Sequence, residues 1–306
     1  MGNTIWITGA NGFSGKNLIN YIRSTSENAK LIGIGRSDAG VSSLDGYYKV
    51  DVRESTALDK LAHQERPDFV FHLAGLMPPH ASESDMWQTN VGGSLNLLRA
   101  IHKAGLQHCK ILITGSAAEY LKNSDGHFQE DSPSGGETAY GKTKWAQGIL
   151  SLHLAKELKL SVIHARVFNL IGPGLSENYV ASTICRQFAD KNATELKIGN
   201  TSSERDFIDI RDCVAAYWAL ANKGTSGEIY NICSGTPTSV SNIIDMLREI
   251  TDSDLPLSVD QQRLRSVDLD RAYGSNDKIQ KATGWSPSIS LKQSLRNMLV
   301  SFEARN

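Results

Sequence analysis

Two side chains four residues apart carry the clearest chemistry in this chain. In Tyr140-Gly141-Lys142-Thr143-Lys144, a helical backbone would put the Tyr140 phenol and the Lys144 ammonium on one face. A phenol, with an ordinary pKa of about 10, exchanges protons poorly at neutral pH until a nearby positive charge stabilises the phenolate. Tyr140 is therefore a candidate proton carrier and Lys144 the charge that lowers its pKa. Ser116 follows a β-type run at residues 110–114, so its hydroxyl would emerge at the carboxyl end of a strand, where ligands bind in doubly wound folds. There it can hydrogen-bond a carbonyl. Asn90, inside a long helical stretch at residues 86–104, can bring an amide to the same place. Taken alone, a tyrosine and a lysine four apart describe any exposed helix; company decides the matter.

That company begins at Thr8-Gly9-Ala10-Asn11-Gly12-Phe13-Ser14-Gly15. The segment lies between a strand-like run and a helix, so its glycines can turn tightly and let backbone N–H groups meet a pyrophosphate at the helix N-terminus. Gly9, Gly12, Phe13 and Gly15 are the expected dinucleotide contacts, with Lys144 reaching the cofactor ribose. At the end of the second strand, where an NAD site places an acidic residue, the chain reads Gly33-Ile34-Gly35-Arg36. A guanidinium there suits a 2′-phosphate, which favours NADP(H). Asp51, after a further strand, is placed to reach the adenine.

The elements that must position these groups alternate from the start. Strand-like runs at 4–8, 31–35, 69–73, 110–114 and 161–166 are separated by helical stretches at 13–23, 56–63, 86–104 and 138–158. Such alternation builds a parallel sheet. The expected class is α/β: a Rossmann-like doubly wound parallel sheet with a smaller α/β C-terminal substrate lobe. Residues 1–168 would form the first lobe, joined by strands returning from about 205–235. After the break at Gly172-Pro173-Gly174, residues 169–306 would form the second.

Composition closes several alternatives. Of 306 residues, 32 are Lys or Arg and 33 Asp or Glu, which leaves no basic field to hold nucleic acid or an anionic membrane. No run of about 18 apolar residues and no signal-like start is present, so a soluble cytoplasmic protein is expected. Cys109, Cys185, Cys213 and Cys233 lack CxxC spacing and no histidines pair as HxxxH; buried reduced thiols and no metal site are expected.

Together these features resemble the extended short-chain dehydrogenase/reductase family. Thr8 to Gly15 is similar to its cofactor turn and His72-Leu73-Ala74-Gly75 to its fourth-strand signature. Asn90, Ser116, Tyr140 and Lys144 fall on its catalytic positions. Arg166-Val167-Phe168-Asn169 with Gly172-Pro173-Gly174, the run Arg205 to Asp212, and Gly284-Trp285-Ser286-Pro287 are similar to its later motifs, in the same order. The resemblance implies cofactor contacts from Val52, Leu73 and Ala74, and a packed rather than catalytic His72. It also implies a nucleotide-sugar substrate met by Asn169, at the pyrophosphate, and by Arg205, Arg265 and Asp268. Leu121, where many relatives have glycine, and Ser266, where some have proline, depart from the pattern.

The resemblance also narrows the reaction. Dehydratases of the family carry an acid and a base just after the catalytic Ser or Thr; here stand Ala117 and Ala118, which transfer no proton. A 4-epimerase would need retained NAD, against Arg36, and a non-catalytic NADP(H)-binding regulator would not need the Tyr140 and Lys144 pair. The expectation is a reductase of a C4 ketone on a nucleotide-linked 4-keto-6-deoxy sugar. Overall likeness is greatest to the branch that converts GDP-4-keto-6-deoxy-D-mannose to GDP-D-rhamnose. A homodimer is implied, formed by pairing the helices at 86–104 and 138–158.

Overall fold

Ile5, Trp6 and Ile7 of β1 (Thr4–Thr8) are all fully buried, as they must be in a strand covered by helices on both faces of a sheet. The computed structural model describes residues 2–26, 28–38, 40–260 and 270–304. From β1 the chain runs through α1 (Phe13–Thr25), β2 (Lys30–Gly35), β3 (Gly46–Lys49), α2 (Ser55–Glu65) and β4 (Phe69–His72). It continues with α3 (Glu83–Met86), α4 (Gly93–Lys103), β5 (Lys110–Thr114), β6 (His127–Phe128), α5 (Ala139–Leu158) and β7 (Ser161–Val167). The second half carries β8 (Asn169–Ile171), α6 (Val180–Ala189), β9 (Leu196–Ile198), β10 (Glu204–Asp209), α7 (Ile210–Lys223) and β11 (Ile229–Ile232). Last come β12 (Pro237–Ser239), α8 (Val240–Thr251), β13 (Leu257–Val259), β14 (Arg271–Gly274), α9 (Asp277–Thr283) and α10 (Leu291–Glu303).

Among the described residues, seven parallel strands form one sheet in the order β11-β7-β5-β4-β1-β2-β3. The order reverses between β1 and β4, and the crevice beyond the carboxyl ends of strands at such a switch is where ligands bind. Alternation sorts the side chains. Ile5 and Ile7 join a core with α1 and α7, whereas Trp6, Ile32 and Val70 join one with α2, α4 and α5.

Of the late strands expected to return to this sheet, β11 does so beside β7. β10 does not: it belongs to a second sheet ordered β12-β10-β14-β6, with β8 beside β10. β6 comes from the first half of the chain, so the boundary at residue 168 does not separate the two sheets. A third core, of α6, α8 and α10, covers the second lobe. The stretch expected as one helix at 86–104 contains a π-helical turn, Trp87–Gly92, between α3 and α4; such turns often mark functional sites. No helix among the described residues is long and apolar enough to cross a membrane. All four cysteines are buried and free, and burial pushes their thiols up.

Candidate active site

The turn after β1 is shaped to leave a cradle. Gly9 has φ +70°, in the left-handed region that favours glycine, and a Cβ there would lie 2.9 Å from the Ala74 nitrogen. One on Gly15 would lie 2.4 Å from the Gly9 carbonyl oxygen. Gly12 caps α1 without a side chain, which leaves the helix's first amides for an anion. A cradle that any side chain would fill, at an uncapped helix start, fits a dinucleotide pyrophosphate. Phe13 packs between the first and third cores. On the facing strand the Leu73 N–H donates to the Thr8 carbonyl at 3.2 Å and the Ala74 N–H to Thr8 Oγ1 at 3.1 Å. His72 is packed and uncharged: Nδ1 lies 2.8 Å from Thr8 Oγ1 and Nε2 2.9 Å from Ser94 Oγ. Desolvation, helped by the Lys144 charge, brings its pKa to about 3.

Arg36 is exposed just beyond β2. Its loop is tied to the glycine turn by Asn11, whose amide donates to Ser37 Oγ and the Asp38 carbonyl, both at 2.9 Å, and accepts from the Gly40 N–H at 3.2 Å. Asp51 is gripped by Arg53, Nη2 at 2.7 Å and Nε at 3.0 Å. Partial burial works against ionisation, but Arg53 and Arg36 still hold the Asp51 carboxyl below the usual range. Neither Asn11 nor Arg53 was expected here; the sequence offers no spacing that marks them. The Val52 side chain is part of the core: a Cβ on Gly93 would meet it at 2.5 Å.

Tyr140 meets Ser116 because Gly141 lets α5 press against the 3₁₀ turn Ala117–Glu119; a Cβ on Gly141 would lie 2.2 Å from the Ala118 carbonyl oxygen. Thr138 caps the helix by accepting from the Gly141 N–H at 3.0 Å. The phenol of Tyr140 faces the Ser116 side chain. Lys144, buried, donates to the Thr114 carbonyl. The expectation that Lys144 depresses the tyrosine is corrected for the protein's own groups: burial raises Tyr140 to about 12, opposed by the facing Ser116 side chain. Lys144 falls to about 8, desolvated, with Glu119 opposing. Asn90 is also corrected. Its Oδ1 accepts from the Leu76 N–H at 2.7 Å and its Nδ2 donates to the Leu76 carbonyl at 2.9 Å and to Thr143 Oγ1 at 3.1 Å. The amide is consumed as a brace between the loop after β4 and α5, with nothing left for a reacting carbonyl.

On the substrate side, Asn169 is exposed at the start of β8 and donates to the Asp206 carbonyl at 3.0 Å. Arg205 is half-buried on β10, with Nη1 donating to the Glu204 carbonyl at 2.7 Å. Arg265 and Asp268 lie outside the described residues. The acids of the run from Arg205 to Asp212 are structural. Asp206 accepts from the Ser234, Gly235 and Gly274 N–H groups, Asp209 from Arg211 and Ser294, and Asp212 from Ser288 and Ile289. Among the described residues no group of three or more His, Cys, Asp or Glu side chains is placed to hold a metal ion.

A switch-point crevice with a glycine cradle, beside a serine, a tyrosine and a lysine at the carboxyl end of β5, defines the class. The NAD dependent epimerase/dehydratase family model matches residues 5–233, and the chain belongs to that family, the extended short-chain dehydrogenases/reductases, as an enzyme of its oxidoreductase kind. It is 30% identical to GDP-6-deoxy-D-mannose reductase of Pseudomonas aeruginosa over 98% of this chain and 97% of that protein. GDP-6-deoxy-D-talose 4-dehydrogenase of Aggregatibacter actinomycetemcomitans is 25% identical over 92% and 91%. Among solved structures, RMD from Pseudomonas aeruginosa complexed with NADPH superposes with a TM-score of 0.88 at 31% identity, covering 99% of this chain and 100% of that one.

Proposed function

We propose that the protein is an NADP(H)-dependent 4-ketoreductase of a nucleotide-linked 4-keto-6-deoxy sugar, converting GDP-4-keto-6-deoxy-D-mannose to GDP-D-rhamnose in the cytoplasm. The observation that carries this reading is the Tyr140 phenol facing Ser116 beside the glycine cradle, with Arg36 just beyond β2. The phenol can donate the proton that ketone reduction requires, and a guanidinium at the end of the second strand suits exchangeable NADPH better than the retained NAD of a 4-epimerase. Gly9, Gly12 and Gly15 would hold NADPH, with Arg36 toward its 2′-phosphate, and the bound cofactor would supply the hydride. Tyr140 gives its proton to the developing alkoxide, Ser116 hydrogen-bonds that oxygen, and Lys144 places a positive charge beside both. Asn169 and Arg205 hold the diphosphate end. Dehydration has no agent: Ala117 and Ala118 transfer no proton, and the Glu119 carboxylate is turned inward to His164 and Arg166. The names of the two GDP-sugar relatives support the choice of nucleotide. Exposed Trp87, Ile149 and Leu150 lie on the helices expected to pair, and the protein works as a homodimer through them.

The test is NADPH oxidation with GDP-, dTDP-, UDP- and CDP-linked 4-keto-6-deoxy sugars, with the product's C4 configuration read by NMR. GDP should give the highest kcat/KM. Preference for another nucleotide overturns the substrate, and no oxidation with any of the four overturns the reductase reading.

A further inference from the structure

Glu119 is 1% exposed, directly behind Ser116. Its Oε1 accepts from the Ser116 main-chain N–H at 2.8 Å and lies 2.9 Å from His164 Nε2, while Oε2 accepts from Arg166 Nε at 2.8 Å. Ser116 Oγ in turn accepts from the Ala118 N–H at 3.1 Å. Serine and glutamate thus form a reciprocal capping box around a single 3₁₀ turn. Arg166 is braced as well: its guanidinium lies 4.5 Å over the Tyr120 ring, and Nη1 donates to the Glu130 carbonyl at 3.0 Å.

The surrounding chain makes room for this cluster. A Cβ on Gly115 would lie 2.3 Å from Glu119 Oε1, and one on Gly148 would lie 2.6 Å from His164 Nε2. A buried ion pair is a poor stability device, because desolvation offsets its attraction and apolar replacements are often as stable. A carboxylate kept here, bonded to the backbone of the serine that faces the phenol, points to a role in the site.

We propose that Glu119, anchored by Arg166 and His164, is a positioning residue that fixes the Ser116 hydroxyl against Tyr140 for reduction. The inference rests on the reductase reading of Ser116, Tyr140 and Lys144. A second effect follows from the same placement. Lys144 is faced by Glu119 from the turn, by uncharged His72 on β4 and by the Thr114 carbonyl. Glu119 is the negative charge that opposes its desolvation, so removing that charge lets Lys144 lose its proton at lower pH.

The experiment compares the parent, Glu119→Gln, Ser116→Ala and the double variant in the full chain. Single-turnover NADPH oxidation is measured with GDP-4-keto-6-deoxy-D-mannose, together with NADPH affinity and the pH profile. Glu119→Gln should lose about tenfold or more in rate with NADPH affinity within about twofold, and should add less than about twofold once Ser116 is alanine, as coupled neighbours do. Its alkaline limb should move to lower pH, which a merely structural role would not cause. Should Glu119→Gln fail to fold, Glu119→Asp keeps the charge but is one methylene too short for the Ser116 amide. It should show the same Ser116-dependent rate loss with the limb unmoved. Parent-like turnover of the glutamate variant, or an equal loss with and without the Ser116 hydroxyl, overturns the proposal while leaving the reductase reading intact. Parent-like turnover of Ser116→Ala overturns both.

Discussion

Lys144 donates to the main-chain carbonyl of Thr114, the last residue of β5 and two positions before Ser116. The bond ties α5 to the strand that leads into Ser116. It also places the ammonium in a buried setting that lowers its pKa from 10.5 to about 8. Reductive turnover should therefore be level from neutral pH to about 8 and decline above it as the charge is lost. Tyr140, near 12, adds no break in that window. A rate still level at the ordinary lysine value of 10.5 would contradict the assignment.

The same burial gives Lys144→Met an unusual signature. For a lysine whose folded pKa is depressed, the folding cost is present below about 8 and is relieved as pH rises toward 10.5. Methionine removes that cost. Turnover and NADPH affinity should both fall while the melting temperature at neutral pH is no lower than the parent's; a large drop in melting temperature would make Lys144 a structural residue.

Tyr140→Phe keeps the ring's packing and removes the proton. Rate should fall by about 10²–10⁴-fold, the usual worth of general acid catalysis, with fold and NADPH affinity retained. Single-turnover hydride transfer at saturating ligands measures it, and survival of more than about a tenth of the parent rate, above the low end of that range, removes Tyr140 from its role.

Arg36→Ala should reduce the preference for NADPH over NADH by roughly ten- to a hundredfold, the worth of a charge-assisted contact of about 1.5–3 kcal/mol, while leaving kcat/KM with NADH unchanged. Arg53 stays in place, gripped by Asp51. Equal loss with both cofactors would mean that Arg36 holds the loop and not the phosphate.

His72 makes a prediction about acid. Its pKa is lowered from 6.5 to about 3, so the stability it contributes is complete above 6.5 and is lost as pH falls toward 3. The slope reaches at most about 1.4 kcal/mol per pH unit. Denaturant midpoints across that window should fall less steeply for His72→Asn than for the parent, and parallel curves would show that another group titrates.

Much of the fold and the site is legible in the residue order because the informative spacings are local. Four residues along a helix place Tyr140 and Lys144 together, and a glycine turn between a strand and a helix is enough to announce a crevice. What escapes depends on distance in the chain. Glu119 meets His164 and Arg166 from a different strand, Asn11 reaches the loop of Arg36, and Asn90 turns out to be fully engaged by Leu76 and Thr143. No periodicity records such meetings. β6, β12 and β14, of two to four residues, are too short to show alternation.

The pairing of β6 with β14 bears on how the molecule is made. His127 and Phe128 sit opposite Tyr273 and Gly274, so the second sheet cannot close until the chain through residue 274 has left the ribosome, and contacts of such long range slow folding. Expression of residues 1–168 alone would strand β6 without its neighbour and leave the large sheet short of β11. Truncation between β6 and β14 should therefore yield aggregates in place of a smaller, working domain.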